Sequence, residues 1–423
     1  MAVTELLAHK EQVLAILPEF GLSVQRLEVL ANLDAPPVVT VLGKYNHGKS
    51  YLLNVLTQST QFSVADKRET LALQRAEQEG VVWLDAPGLD ADVYQVDDQH
   101  AQQALWIESD VRLVVHAIKE GELDASELAL IALLEQDKIQ TQRQFLMVLT
   151  QSDQVADQIT LEQIESQIQQ QVPQQELHAV SAARYRKGLD YHIPLFVEKS
   201  GIPELQQQIN VALQQVPAAR RYEYQQRLAQ LQDELERQKN QCLITQAELT
   251  QRLQHEEQSF SADLSAVLEQ VAVDLADVMH EPEVDHALDT DTIQDVFKIT
   301  AGKLERSRLQ IAYSRACIAI RSVLTQYGVA SLPKDQQVGA ASLSTVMVAV
   351  MGVSVKYRAD LRRLFGDPAG RERLHKDFKA YFERSEARLA LQAQLEQQQT
   401  QIDQRLAALE VLQLWGELVY EVQ

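Results

Sequence analysis

The alternation of apolar and polar positions divides the chain in two. From residue 37 to about residue 216 short apolar runs, PVVTVL, GVVWLD, VRLVVHAI, QFLMVLT and LHAVS, alternate with stretches of helical periodicity. This pattern predicts a mostly parallel sheet with helices on both faces. The piece SGIPELQQQINVAL reads as the helix that closes this region near residue 216. Ahead of it, residues 2–33 read as helical, broken near Pro18 and Gly21. Pro36 and Pro37 end that segment and open the first strand.

Beyond Pro217 the period changes. Residues 218–280 contain no Pro and no Gly, and Leu228, Leu235, Cys242 and Leu249 recur every seven residues. Leu253, Phe260 and Val267 continue at that interval, shifted by four. The stripe predicts an amphipathic helix which, at 1.5 Å per residue, spans about 95 Å. A second pattern runs from about 371 to 420, with Leu395, Ile402 and Leu409 in register. Each stripe needs a partner, so an antiparallel stalk is expected, with two ordinary bundle helices as the alternative. Between them lies VGAASLSTVMVAVMGVSV, residues 338–355, without a charge and followed by Lys356, Arg358, Arg362 and Arg363. Its length is at the lower edge for a membrane span, and its Ala, Gly and Ser content weakens that reading. A buried helix at the tip of a bundle comes first, a membrane-contacting tip second, and a span last.

Composition narrows the picture. The 423 residues suffice for two or three domains and carry a formal net charge of −21. That charge disfavours a nucleic acid partner, although it leaves room for a local basic patch. The two cysteines, Cys242 and Cys317, stand far apart, so neither a disulfide framework nor a zinc site is expected. The first twenty residues lack a basic region followed by an apolar run, so no signal peptide is expected. A cytoplasmic location is expected, with peripheral attachment to the inner membrane as the alternative.

The chemistry is concentrated in the first half. Gly43, Lys44, Tyr45, Asn46, His47, Gly48, Lys49 and Ser50 fit G-x-x-x-x-G-K-S, with a strand before and the helix SYLLNVL behind, whose Tyr51 is a further nucleotide-binding candidate. Glycines at these positions let backbone N–H groups turn toward phosphate, and the helix N-terminus adds its dipole. Lys49 is expected on the β- and γ-phosphates and the Ser50 hydroxyl on Mg²⁺. In LDAPGLD, Asp85 would hold Mg²⁺ through a water and the Gly88 amide would meet the γ-phosphate. Thr70 is the candidate for the threonine completing the Mg²⁺ shell, in competition with Ser59, Thr60 and Ser63. LTQSDQV resembles the guanine-reading element [N/T]KxD, with Thr150 and Asp153 in place and Gln151 where lysine is usual. Asp153 would accept from guanine N1 and N2, and the backbone of Ser181-Ala182 in VSAARY would meet the base. GTP and GDP are therefore the expected ligands.

The stretches GKYNHGKSYLLNVL, DAPGLDAD and ALWIESDVRLVVHAI resemble the GTPase domain of bacterial dynamin-like proteins over about residues 35–216. The resemblance implies a P-loop GTPase head joined to a long α-helical stalk, heads that dimerise when GTP binds, and action at a membrane surface. The expected division is a helical segment 1–34 packing on the stalk or neck, a head 35–216 and a stalk 217–423. The chain departs from that pattern at Ala86, at Gln151 and in a shorter stalk with a less apolar tip. A second resemblance is to bacterial GTPases of ribosome assembly and tRNA modification, whose C-terminal RNA-binding modules are missing here. A monomeric regulatory GTPase whose helical region binds a protein is thus the alternative function. Leu89 follows Gly88 where a water-orienting Gln is usual. In similar potassium-stimulated GTPases the asparagine at the position of Asn46 ligates K⁺; the other reading has Asn46 bonding loop backbone. His47 reads as a solvated loop side chain, or as a contact across paired heads.

Overall fold

The computed structural model describes residues 9–32, 34–62, 74–86, 103–295, 297–337 and 345–421. Its contacts group into two units, Met1–Arg237 with Gln404–Gln423, and Gln238–Asp403.

In the first unit, helices α1 (Lys10–Ile16) and α2 (Gly21–Leu30) precede a six-stranded sheet in the order β2-β3-β1-β4-β5-β6. The strands are β1 (Val38–Gly43), β2 (Gln74–Gln78), β3 (Val81–Asp85), β4 (Val111–Ala117), β5 (Gln144–Thr150) and β6 (Leu177–Ala179). Only β2 runs antiparallel to its neighbour. Alternate residues of each strand enter opposite cores, as the strand period of two requires. Val39 and Val41 meet α3 (Lys49–Leu56) and the start of the long helix, while Val38 and Leu42 meet α4 (Ala125–Thr141) and α5 (Gln158–Gln171). The Asp124 carboxylate caps α4 and Glu127 returns a bond to the Asp124 N–H, a reciprocal capping box. After β6 comes α6 (Ala182–Asp190).

The long helix α7 runs unbroken from Ile202 to Asp274, with Pro217 inside it. The boundary expected at residues 216/217 thus falls within one helix. An interior proline costs about 3 kcal/mol through its missing N–H and its ring. Here Ile209, Ala212 and Val216 are locked into the sheet's core just before it, and Arg220 is bound just after it. Farther along, Tyr224, Leu228, Leu231 and Leu235 pack with Val24, Leu27 and Leu30 of α2, and with Leu412 and Trp415 of α11 (Glu386–Glu421).

At the N-terminal ends of β1 and β4 the first unit buries a lattice of charges. Arg26, on α2, donates to Glu223 of α7 and to Asp110. Asp110 also takes two bonds from Arg220 and one from the Val38 N–H. Arg143 and Arg112 share Asp137. The same arginines cap successive carbonyls of the π-helical turn Gln103–Glu108. Leu105 O is held by Arg112, Trp106 O by Arg143, and Ile107 O and Glu108 O by Arg26. Burial works against every charge here. The neighbouring arginines nevertheless hold Asp110 and Glu223 below the usual carboxylate range and Asp137 down at about 2.

The second unit holds the second half of α7, α8 (Ala301–Gln326), the short α9 (Val346–Met351), α10 (Pro368–Glu383) and the first half of α11. Within it α7 runs antiparallel to the returning helices. Cys242 meets Gln401, Gln246 meets Gln399, Glu256 meets Arg388 and Glu269 meets Arg371. The second long helix expected from 371 to 420 is two helices. The break is at Ser385, whose hydroxyl donates to the Phe382 carbonyl at 2.7 Å and so competes with the helical ladder.

Residues 338–344 of the apolar segment lie outside the described residues. Of the rest, Val346, Met351 and Val355 are buried with Leu309, Tyr313 and Phe365, while Ala349 and Gly352 to Ser354 are exposed, Val353 at 71%. Arg358, expected as part of a basic flank, is itself buried and paired with Glu305 and Asp285. Among the described residues no helix is long and apolar enough to cross a membrane.

The three tryptophans, Trp83, Trp106 and Trp415, all lie in the first unit, so their fluorescence reads that unit alone. The lattice predicts its acid limb. Carboxylates with depressed folded-state pKa values contribute stability that is fully present above their unfolded values, near 4. That stability is lost as the pH falls through the folded values. Tryptophan fluorescence should therefore stay native at pH 5 and change between about pH 4 and 2, with Asp137 alone accounting for roughly 2 kcal/mol. Val346→Asp should act on the other unit. An uncompensated charge in its core costs about 3–5 kcal/mol, so the circular-dichroism melt should fall while the tryptophan transition holds.

Candidate functional site

β1 ends at Gly43, where the chain turns under β4. A Cβ at that position would lie 2.2 Å from the Val115 carbonyl oxygen, so only glycine fits. The loop then passes through Asn46 at φ 61° and Gly48 at φ 82°, and Gly48 caps α3. These left-handed residues turn the loop and open the helix on Lys49. Lys49 Nζ donates to the carbonyls of Gly43 at 2.9 Å and Lys44 at 2.8 Å, bending back over the loop. That is where a phosphate chain on the helix N-terminus would meet it.

Ser50, in the first turn of α3, donates to Asp85 Oδ2 at 2.6 Å. Asp85 ends β3, opposite Val41 of β1. It is nearly enclosed, and burial raises its pKa against the opposing pull of Ser50 and Lys49. Its Oδ1 has no hydrogen-bond partner among the described residues. A hydroxyl and a buried carboxylate with an unused oxygen fit Mg²⁺, which takes oxygen ligands and keeps several waters. Ser50 would ligate the ion directly and Asp85 through water. Thr70, Gly88, Leu89 and Ser63 lie outside the described residues. Ser59, one alternative to Thr70, is engaged with the Thr57 hydroxyl at the end of α3.

Two of the residues expected to read the base, Thr150 and Gln151, meet the same loop. Thr150, at the end of β5, directs its hydroxyl to His47 O at 2.6 Å. Gln151, left-handed at φ 62° and standing where lysine is usual, donates Nε2 to Asn46 O at 2.8 Å and so reaches the loop. Asp153 is exposed and accepts from the Ser181 hydroxyl at 2.6 Å. Ser181 is fully buried and also caps α6, so the backbone of Ala182 opens that helix beside Asp153. Tyr51 is half-buried against the sheet's core, Tyr45 is half-buried, and Asn46 is the exposed residue of the loop.

His47 corrects an expectation. It was read as solvated or facing a second head, yet it is 1% exposed. Its backbone is fixed from outside by Thr150, and its ring turns inward, edge-on to His116 with centroids 5.2 Å apart. His116 ends β4 and bonds Glu127 at 2.8 Å and Gly121 O at 3.0 Å. Burial opposes a charge on His116, but Glu127 and Gly121 O raise its pKa, and Glu127 is correspondingly lowered. Neither His116 nor Glu127 stood out in the sequence. The one available signal was a histidine near the end of a strand, VRLVVHA, that is otherwise apolar after Arg112.

The family model described as "50S ribosome-binding GTPase" matches residues 38–151. An uncharacterized protein of Acinetobacter baylyi is 46% identical over 391 residues, covering 92% of each chain. Among solved structures, Aquifex aeolicus Era bound to GDP.AlF4- matches 38% of this chain and 56% of its own, at 21% identity and a TM-score of 0.28. The G domain of the T. maritima FeoB iron transporter matches 42% of this chain and 98% of its own, at 19% identity and a TM-score of 0.28.

The base cradle gives a direct test. Asp153→Ala removes the acceptor for guanine N1 and N2, leaving polar groups of the base unpaired at a cost of about 1–3 kcal/mol. GDP affinity by calorimetry should fall by roughly 5- to 150-fold, and ADP affinity should not change. An equal loss for both nucleotides would remove Asp153 from base reading.

Proposed function

The chain belongs to one family with the Acinetobacter baylyi protein and its head is a P-loop GTPase domain; from this we propose that it hydrolyses GTP slowly as a monomer, faster when two heads pair, and signals through the long helix. The observation that carries the reading is the Ser50–Asp85 pair beside Lys49, on a loop that Thr150 and Gln151 tie to the base cradle. Positioning and charge stabilisation suffice for phosphoryl transfer once the water is oriented. Leu89 cannot orient it, which favours help from outside one head. Pairing would supply it by shielding the phosphates and ordering the stretch around Thr70. K⁺ on Asn46 would add positive charge beside the phosphates, and the side of the loop bearing Asn46 is exposed for such a contact.

The output is the helical region. Val346, Met351 and Val355 of the apolar segment are packed in the core of the second unit, and this supports a partner-binding output over a lipid-contacting one. Membrane action remains the finer reading drawn from the dynamin-like resemblance, and sedimentation with liposomes in GTP and in GDP decides it.

GTP turnover per head should rise with protein concentration and be faster in K⁺ than in a matched choline buffer. Asn46→Ala should remove most of the K⁺ effect and only part of the GTP affinity, since Lys49 and the loop amides remain. A rate per head that is flat with concentration discards pairing. Equal rates in both salts discard the cation.

A further inference from the structure

Beneath the phosphate loop three elements bring nitrogen and oxygen donors to one point. His47 comes from the loop, His116 from the end of β4, and Glu127 from the first turn of α4. All three are buried, and one donor atom of each lies within 4.8 Å of the other two. Glu127 Oε1 is shared: His116 Nδ1 is 2.8 Å away and His47 Nδ1 is 3.7 Å away.

The outward side of each group is already occupied. His116 Nε2 faces Gly121 O at 3.0 Å, and His47 Nε2 faces Glu120 Oε2 at 3.1 Å. The other oxygen of Glu127, Oε2, takes the Asp124 N–H at 3.1 Å and lies 3.7 Å from Lys44 Nζ. Imidazoles that ligate a metal characteristically give their second nitrogen to a carbonyl or carboxylate, which fixes the tautomer and aims the first nitrogen inward. Both histidines have that arrangement, one with each kind of acceptor. His47 Nδ1 also lies 3.3 Å from Val115 O, a contact that an ion between the two rings would replace.

We propose that His47, His116 and Glu127 bind one divalent transition-metal ion, of which Zn²⁺ best suits the donors. Two imidazoles and one carboxylate form an established three-ligand zinc set, with water in the fourth place. The cysteine-based expectation against zinc does not reach a set without sulfur. Magnesium, which prefers oxygen and retains water, is the wrong ion here. A tetrahedral ion at 2.0–2.1 Å from its ligands holds them about 3.3 Å apart. His116 and Glu127 would separate slightly and His47 would close in, with the ion taking the place of the proton that the groups share. The ion would pin the loop at His47, one residue before Gly48. It would therefore couple metal occupancy to the shape of the phosphate cradle while standing apart from the Mg²⁺ position at Ser50 and Asp85.

The test uses the full chain, stripped with a chelator and then saturated with Mg²⁺ and GDP so that the nucleotide site is filled. Co²⁺ is titrated in and followed by its visible d–d absorption. One equivalent with the intense bands of tetrahedral coordination, displaced by Zn²⁺ and not by more Mg²⁺, is expected. His116→Gln should abolish the signal. Glu120→Gln, which changes only the outer partner of His47, should weaken binding by about 10–100-fold. Unchanged tryptophan fluorescence checks folding of the variants, and His47→Gln replaces His116→Gln should that variant not fold. Absence of saturable binding overturns the proposal, as does Co²⁺ binding that survives loss of either histidine in a folded protein.

Discussion

The first unit is organised around the need to satisfy a turn of backbone away from water. The residues Gln103–Glu108 form a π-helical turn whose carbonyls from Leu105 to Glu108 point into a region crowded by β4, α2 and α7. A buried carbonyl without a donor costs about as much as a lost hydrogen bond. Arginine answers this well, because its planar fork serves several acceptors at once. Four buried arginines then need anions, and Asp110, Asp137 and Glu223 supply them. Each member draws in another element, so α2, β1, β4, α4 and α7 are fastened by one set of charges. Such lattices add little net stability over apolar packing but strongly penalise the loss of any single member. Specificity of assembly is the better account of it.

How legible this was depended on whether a feature was local. The loop from Gly43 to Ser50 could be read outright, because turn geometry and phosphate chemistry demand glycine, lysine and serine at fixed spacing. Strand alternation likewise followed from period alone. His47 went wrong because sequence shows that a residue is on a loop, and not which way its ring turns once Thr150 holds its carbonyl. Pro217 was misread for a related reason: local preference ends a helix there, but burial on both sides carries α7 through. The arginine lattice was out of reach altogether, since its members are far apart in sequence and charged residues give no sign of burial. The break at Ser385 depends on one hydroxyl's choice of partner, a choice that apolar periodicity does not register.

The two sides of β4 now carry distinct duties. At its start, Asp110 and Arg112 join the lattice that fastens α7; at its end, Val115 O packs on Gly43 and His116 reaches the loop's inner face. One rigid central strand thus touches both the phosphate loop and the helix leaving the head. A shift in the loop has a short mechanical route to that helix without passing through the sheet's edges.

The packing of Trp415 has a consequence for how the molecule is made. Leu412 and Trp415 fill a core with Val24, Leu27, Tyr224 and Leu231, and the Tyr224 hydroxyl donates to Trp415 O at 2.8 Å. These partners leave the ribosome before the whole of Gln238–Asp403, whereas Trp415 leaves after it. While the chain is being translated, the inner unit has all its own residues first, and the outer one waits with an apolar face uncovered. Contacts so distant along the chain form late and expose sticky surface meanwhile. The nucleotide-binding half, although begun first, is therefore the half completed last.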